Sequence, residues 1–243
     1  MHDETASDGP TRLLPVAAVA GALGLAAAAR SAHGQGRALP GDVVDVLYFA
    51  LTLEELEAQF YERGVATPGL IPADVRDVFD QIRKHETAHV AFLRQTLGAR
   101  AIARPTFDFT AGGTFGDVFS NAATFAAVAQ AFEDTGVRAY KGQAATLMVA
   151  PTVLEAALKI HSVEARHAAE VRRIRRQKGW VTGSSRGDLP AATDAIYRGE
   201  GNRFHFILAQ SRGGDPWTEA FDEPLTRGQV LEIVTPFMTR EVR

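Results

Sequence analysis

The chain has 243 residues, 46% hydrophobic and 23% charged, the balance of an ordinary globular protein of one domain with appendages. A formal net charge of -3 lacks the basic footprint of a nucleic-acid binder. The absence of cysteine excludes disulfides, thiolate metal sites and cysteine nucleophiles, so any metal has to be held by oxygen and nitrogen.

Residues 1–39 read as an export signal or anchor followed by a linker. Leu13–Ala29 is Ala-rich, almost wholly apolar and bounded by Arg12 and Arg30, like the core of an export signal. The segment before it is acidic, whereas a signal favours a positive flank, and 17 residues lie at the lower edge of a membrane span. The expectation is an exported protein of the periplasm or cell envelope, associated with the membrane wherever this segment is retained.

Four helical segments follow, over residues 40–179. The first runs from about Asp42 to Arg63, with Asp42 as N-cap and Gly64 as stop. The second runs from Pro72 to Leu97 and closes on Gly98. The third spans Phe115 to Leu147, and the fourth spans Pro151 to Lys178 and closes on Gly179. Short turns join the first to the second and the third to the fourth, which makes two antiparallel hairpins. Between the hairpins lies Gly98–Thr114; 17 extended residues reach roughly 55 Å, and a helix of 26 residues is about 39 Å long. That stretch is long enough to cross the whole bundle, so the expected fold is an all-α four-helix bundle with one long crossover. Residues 180–243, rich in Gly, Pro and Asp, read as a C-terminal extension packed on the bundle, with an apolar piece at Phe204–Leu208 and a short helix over Arg227–Phe237.

Two Glu-x-x-His motifs occur, Glu86 with His89 and Glu164 with His167, and each alone is a weak signal. Their surroundings repeat. Glu54 precedes Glu86 and Glu133 precedes Glu164 by nearly the same interval, and each upstream Glu has a Tyr seven residues on, Tyr61 and Tyr140. The pattern therefore recurs once per hairpin, an internal repeat that places its polar residues about a pseudo-twofold axis. On each helix the Glu interrupts a stripe of apolar or small residues at helical spacing, such as Phe79, Ile82, Glu86, His89 and Leu93 on the second. Glu57 lies on the inner stripe too, and its counterpart in the second copy is Gly136. It reads equally as an extra ligand or proton relay and as part of a solvated face. His85 sits about 100° off the metal stripe and does not read as a ligand; His161 reads as structural.

Buried carboxylates are costly unless paired or bound to metal, and four together repel. No Lys or Arg lies on these stripes at the level of the Glu residues. Two divalent cations balance four carboxylates with both His neutral, so the electrostatics ask for two metal ions.

The stretches LYFALTLEELEAQFYERG, KHETAHVAFLRQTLGA, AFEDTGVRAY and SVEARHAAEVRRI resemble the ferritin-like superfamily of di-iron and di-manganese carboxylate proteins. Within it they are similar to an exported bacterial branch labelled ferritin-like or desiccation-related. The resemblance covers residues 40 to 178 and extends to FDEPLTRGQVLEIVTPF near the end. It implies that Glu54 and His89 bind one metal, that Glu133 and His167 bind the other, and that Glu86 and Glu164 bridge. Tyr61 and Tyr140 become donors to the ligating carboxylates. Thr87 stands where the haem-binding branch has Met, so haem is not expected.

The first functional expectation is redox chemistry of iron or manganese with oxygen or peroxide, as in a ferroxidase, an oxidase or a manganese catalase, with Ala126, Ala129 and Gly136 leaving room for the oxidant. The alternative is a non-catalytic envelope protein of desiccation or stress, with a structural metal site. An iron-storage cage is disfavoured by the long tail, although a smaller homo-oligomer is compatible with it. Expected partners are metal ions and small oxidants.

Overall fold

The computed structural model describes residues 39–202 and 216–239. Four long helices form the bundle: α1 (Gly41–Ala66), α2 (Arg76–Leu97), α3 (Ala122–Gln143) and α4 (Pro151–Ile174). α1 packs along α2, and α3 along α4, as two hairpins. The crossover traverses the bundle. Leu97 at the end of α2 belongs to an apolar cluster with Val43 and Leu47, whereas Phe125 at the start of α3 clusters with Phe60, Leu70 and Phe79 at the other end. On the way, Phe109, Phe115 and Val118 enter the core.

Several helix limits differ from expectation, each for a local reason. α1 does not stop at Gly64 but runs through it to Ala66. Gly64 serves packing: a Cβ there would lie 2.2 Å from Cε2 of Phe125, whose ring stacks on Phe60 at 4.7 Å. Asp42 lies inside the first turn, its carboxylate accepting from the Val43 N–H at 2.9 Å, with Pro40 at the cap. α2 starts at Arg76, because Pro72 to Val75 is spent on a turn closed by Val75 N–H to the Pro72 carbonyl. α3 starts only at Ala122, where the Asn121 side chain accepts from the N–H groups of Ala123 and Thr124. The residues before it turn around Asp108, which accepts from Thr110 and Gly112. α3 ends at Gln143, and a 3₁₀ turn over Thr146–Val149 leads to Pro151. α4 ends at Ile174 rather than Lys178: Arg176 takes a left-handed φ of 61°, and Gln177 N–H returns to the Arg172 carbonyl at 2.9 Å.

Beyond α4 come α5 (Asp194–Tyr197), α6 (Pro216–Glu219) and α7 (Arg227–Val234), the last extended by a 3₁₀ turn over Thr235–Phe237. Their anchor is a buried polar network on α3 and α4. Asp134 accepts from Arg172 Nη2 at 2.5 Å and from the Tyr197 hydroxyl at 2.6 Å. Arg138 pairs with Glu200 at 2.7 Å and donates to the carbonyls of Ile196, Arg198 and Glu223. Leu225 N–H donates to the Arg138 carbonyl, and the Leu225 carbonyl lies so close to Gly142 that a Cβ there would sit 1.9 Å from it. Among the described residues no helix is long and apolar enough to cross a membrane. The Leu13–Ala29 stretch and Phe204–Leu208 lie outside the described residues.

Candidate metal centre

The stripes read from the sequence converge at mid-bundle. α1 contributes Glu54, Glu57 and Tyr61; α2 contributes Glu86 and His89; α3 contributes Glu133, Gly136 and Tyr140; α4 contributes Glu164 and His167. Glu54, Glu86, Glu133 and Glu164 are each 0% exposed, so none of them shares its charge with water. Two overlapping groups bring ligand atoms within 4.8 Å of one another: Glu54, Glu86, His89 and Glu164, and Glu86, Glu133, Glu164 and His167. Glu86 and Glu164 belong to both.

The contacts within each group are close without being a satisfied hydrogen-bond network. His89 Nδ1 lies 3.2 Å from Glu54 Oε2, 3.1 Å from Glu86 Oε2 and 3.2 Å from Glu164 Oε1. One ring nitrogen offers a single proton at most, so three carboxylates around it cannot all be served. His167 Nδ1 lies 2.8 Å from Glu86 Oε1 and 3.3 Å from Glu133 Oε2, yet it has no partner in hydrogen-bond geometry. The same is true of Glu86 Oε1, Glu133 Oε2 and both Glu164 oxygens. Five orphaned polar atoms in one buried place are exceptional, because buried polar atoms are nearly always hydrogen-bonded.

The tyrosines tie the hairpins together crosswise. Tyr61 on α1 donates to Glu133 Oε1 on α3 at 2.5 Å, and Tyr140 on α3 donates to Glu54 Oε1 on α1. Burial, and then the adjacent Glu133 or Glu54 charge, pushes both phenols well above their ordinary pKa, so both hydroxyls stay donors at neutral pH.

The electrostatics without cations are unfavourable. Burial, and then the charges of Glu86 and Glu54, raises the Glu164 carboxyl well above the usual range. Burial likewise carries Glu86 up to about 7, against the pull of the adjacent His167 and His89. Burial works to raise Glu54 as well, but His89 and the bonds from Glu86 and Tyr140 outweigh it and the carboxyl is lowered. Burial opposes charging of His167, and Glu133 and Glu86 overcome that to raise it to about 11. Protons thus stand in for the missing positive charge.

Two neighbouring residues go beyond or against the sequence reading, and a third keeps to it. Glu57 is buried rather than on a solvated face; it lies outside both ligand groups, and its Oε1 is 3.1 Å from the point where a Gly136 Cβ would stand. The room beside Gly136 is therefore filled by Glu57 and Glu164, not left for an oxidant. His85 is outside both ligand groups, as its angle implies, but its Nδ1 lies 2.9 Å from His167 Nε2 and the two rings stack at 5.1 Å. The repeat held no hint of this contact, since the counterpart of His85 in the second copy is Val163. His161 is half-buried on α4 and belongs to neither ligand group.

Residues 42–177 match the Ferritin-like domain family, over more than half of the chain. The chain belongs to the ferritin-like domain family. No curated protein and no solved structure matches it. In this ferritin-like bundle the buried Glu and His cluster is compatible with a dinuclear metal site.

Proposed function

We propose that this ferritin-like bundle holds two iron or manganese ions, one on Glu54 and His89 and the other on Glu133 and His167, with Glu86 and Glu164 shared between them. The observation that carries the proposal is the set of five buried atoms, on Glu86, Glu133, Glu164 and His167, that have no hydrogen-bond partner and belong to residues whose ligand atoms lie within 4.8 Å of one another. Ligand-to-ligand spacing supports it. Oxygen and nitrogen donors at about 2.0–2.3 Å around a six-coordinate ion stand roughly 3 Å apart, and the spacings here are 2.8–3.3 Å. Charge supports it too, since two divalent ions neutralise the four fully buried carboxylates at once.

A bound pair would supply electrons to oxygen or peroxide, and in peroxide disproportionation would take them back from a second peroxide. The chain's own part is to prepare and enclose the site. Tyr61 and Tyr140 hold one oxygen each of Glu133 and Glu54, which orients the free oxygen inward. His85 holds the outer nitrogen of His167 and leaves the inner one free. Phe79, Ile82, Leu93, Ala129 and Ile160, all buried, keep bulk water from the cluster. The same proposal puts this chemistry in the cell envelope, on the apolar character of Leu13–Ala29.

Metal analysis of protein purified from its native source, followed by stopped-flow consumption of oxygen and of hydrogen peroxide, tests it. Two iron or manganese ions per chain and turnover of either oxidant are expected. Zinc alone, or no metal, removes the redox chemistry. Two redox-active ions with no turnover leave the alternative of a structural site in a stress-related protein.

A further inference from the structure

The crossed tyrosine bonds locate the pseudo-twofold axis. Glu133 and Tyr140 each follow their counterparts by 79 residues (54 to 133, 61 to 140), and the bonds join Tyr61 to Glu133 and Tyr140 to Glu54. α1 and α3 therefore pass each other antiparallel, and the crossing point falls midway between residues 54 and 61 on α1. Glu57 stands there, and so does its counterpart on α3, Gly136.

A side chain at the crossing of a twofold pair meets its own symmetry mate. Two glutamates would collide at that point, and two glycines would leave a hole. The chain has one of each. A Cβ on Gly136 would lie 3.1 Å from Glu57 Oε1 and 3.2 Å from Glu164 Oε2, so the Glu57 carboxyl fills the notch beside the shared carboxylate Glu164. Glu164 is fully buried and both its oxygens lack partners. The charges that act most on Glu57 are those of Glu164, Glu133, Glu86 and Glu54, all acidic. A buried carboxyl placed among four others has the same need for a cation as they have.

We propose that Glu57 is a seventh ligand of the metal pair, supplied by one hairpin alone on the side lined by α1 and α3, and that Gly136 is the notch that admits it. The proposal rests on the dinuclear reading above. It makes the site unequal in its two halves and adds a fifth carboxylate. Two divalent ions then leave one negative charge in excess, whereas one divalent and one trivalent ion balance the five. Glu57 thus biases the pair toward its higher oxidation state.

The test uses full-length protein loaded with Fe(II), comparing wild type with Glu57→Gln, Glu57→Asp and Gly136→Ala. Iron per chain is measured first, then the reduction potential by mediated titration followed in the absorption spectrum. The wild type and Glu57→Gln are expected to bind two ions each. Glu57→Gln should weaken the preference for the oxidised pair at least tenfold, which is about 59 mV upward for a one-electron step. Gly136→Ala, which crowds the notch, should move the potential the same way by less, and Glu57→Asp, which keeps the charge, should move it least. If Glu57→Gln binds two ions at the wild-type potential, Glu57 is not a ligand and only this proposal falls. If Glu57→Gln does not fold, an unshifted potential in Gly136→Ala overturns it equally. Wild type that binds no iron overturns the dinuclear reading and this one with it.

Discussion

His85 lies outside both ligand groups, yet on the proposed dinuclear reading it holds one ligand of the centre. For His167 to offer Nδ1 to a cation, its proton has to sit on Nε2, and Nε2 then donates to His85 Nδ1, 2.9 Å away. The Gln81 amide stands 2.8 Å from His85 Nε2, and with its oxygen turned to that nitrogen it completes the relay to the surface. His85→Ala should therefore leave two metals bound but weaken the ion on His167 by about 10–100-fold, the usual effect of removing such a partner. The ion on His89 should be untouched. Stepwise metal titration reads this directly, and two unchanged steps would reduce His85 to a packing residue. Periodicity along α2 could not reveal the contact. His85 is off the stripe of its own helix, and its partner sits on a helix 82 residues away in the chain.

At the scale of the helix, Gly64 separates two meanings of glycine. As a stop it would be needed for a left-handed φ, which Gly64 does not adopt. Within α1, however, a Cβ would stand 2.2 Å and 2.4 Å from two ring carbons of Phe125. That ring is held by Phe60, stacked at 4.7 Å, and by Phe79, edge-on at 5.2 Å, so it has little freedom to retreat. Gly64→Ala should cost about 1–3 kcal/mol by overpacking, despite the better helix propensity of alanine. Urea unfolding checks it, and a stabilised variant would show that the Phe125 ring can retreat from the new Cβ. The helix termini were the least legible part of the sequence for the same reason. Asn121 caps α3 and Arg176 closes α4 through contacts that the apolar stripe does not encode.

Two properties belong to the molecule as a whole. The first is the docking of residues 180–202 and 216–239 on the bundle. Asp134 is 5% exposed and is shared by Arg172 and Tyr197. Asp134→Ala would leave the Arg172 charge buried without its counter-ion, at a cost of about 3–5 kcal/mol. Limited proteolysis should then cut between residues 180 and 200 faster than in the wild type, and an unaltered cleavage rate would show that the apolar contacts of Tyr197 and Ile196 suffice.

The second is the pH dependence of the metal-free bundle. A carboxyl raised by folding stabilises the protein while protonated. The contribution of Glu86, at about 7 against 4.5, is complete below pH 4.5 and is lost as pH rises through 7. Glu57 and Glu164, raised by burial and by their acidic neighbours, act in the same direction. The melting temperature of metal-free protein should therefore fall between pH 5 and pH 8. Two divalent ions replace those protons, so the metal-loaded protein should lose most of that slope. Equal slopes with and without metal would show that the carboxyls titrate freely and do not meet at a common site.

The sequence by itself determined the all-helical fold and the stripe on which each of Glu54, Glu86, His89, Glu133, Glu164 and His167 lies, because helical periodicity is local and a Glu within an apolar stripe has nowhere to point but inward. The duplicated spacing carried the pseudo-symmetry as well. Only the tertiary structure decided what crosses between the hairpins: that Tyr61 serves Glu133 and Tyr140 serves Glu54, that His85 reaches His167, and that Glu57 fills the space of Gly136. Those contacts depend on the relative height and rotation of two helices. Packing sets both, and no periodicity within a single helix records them.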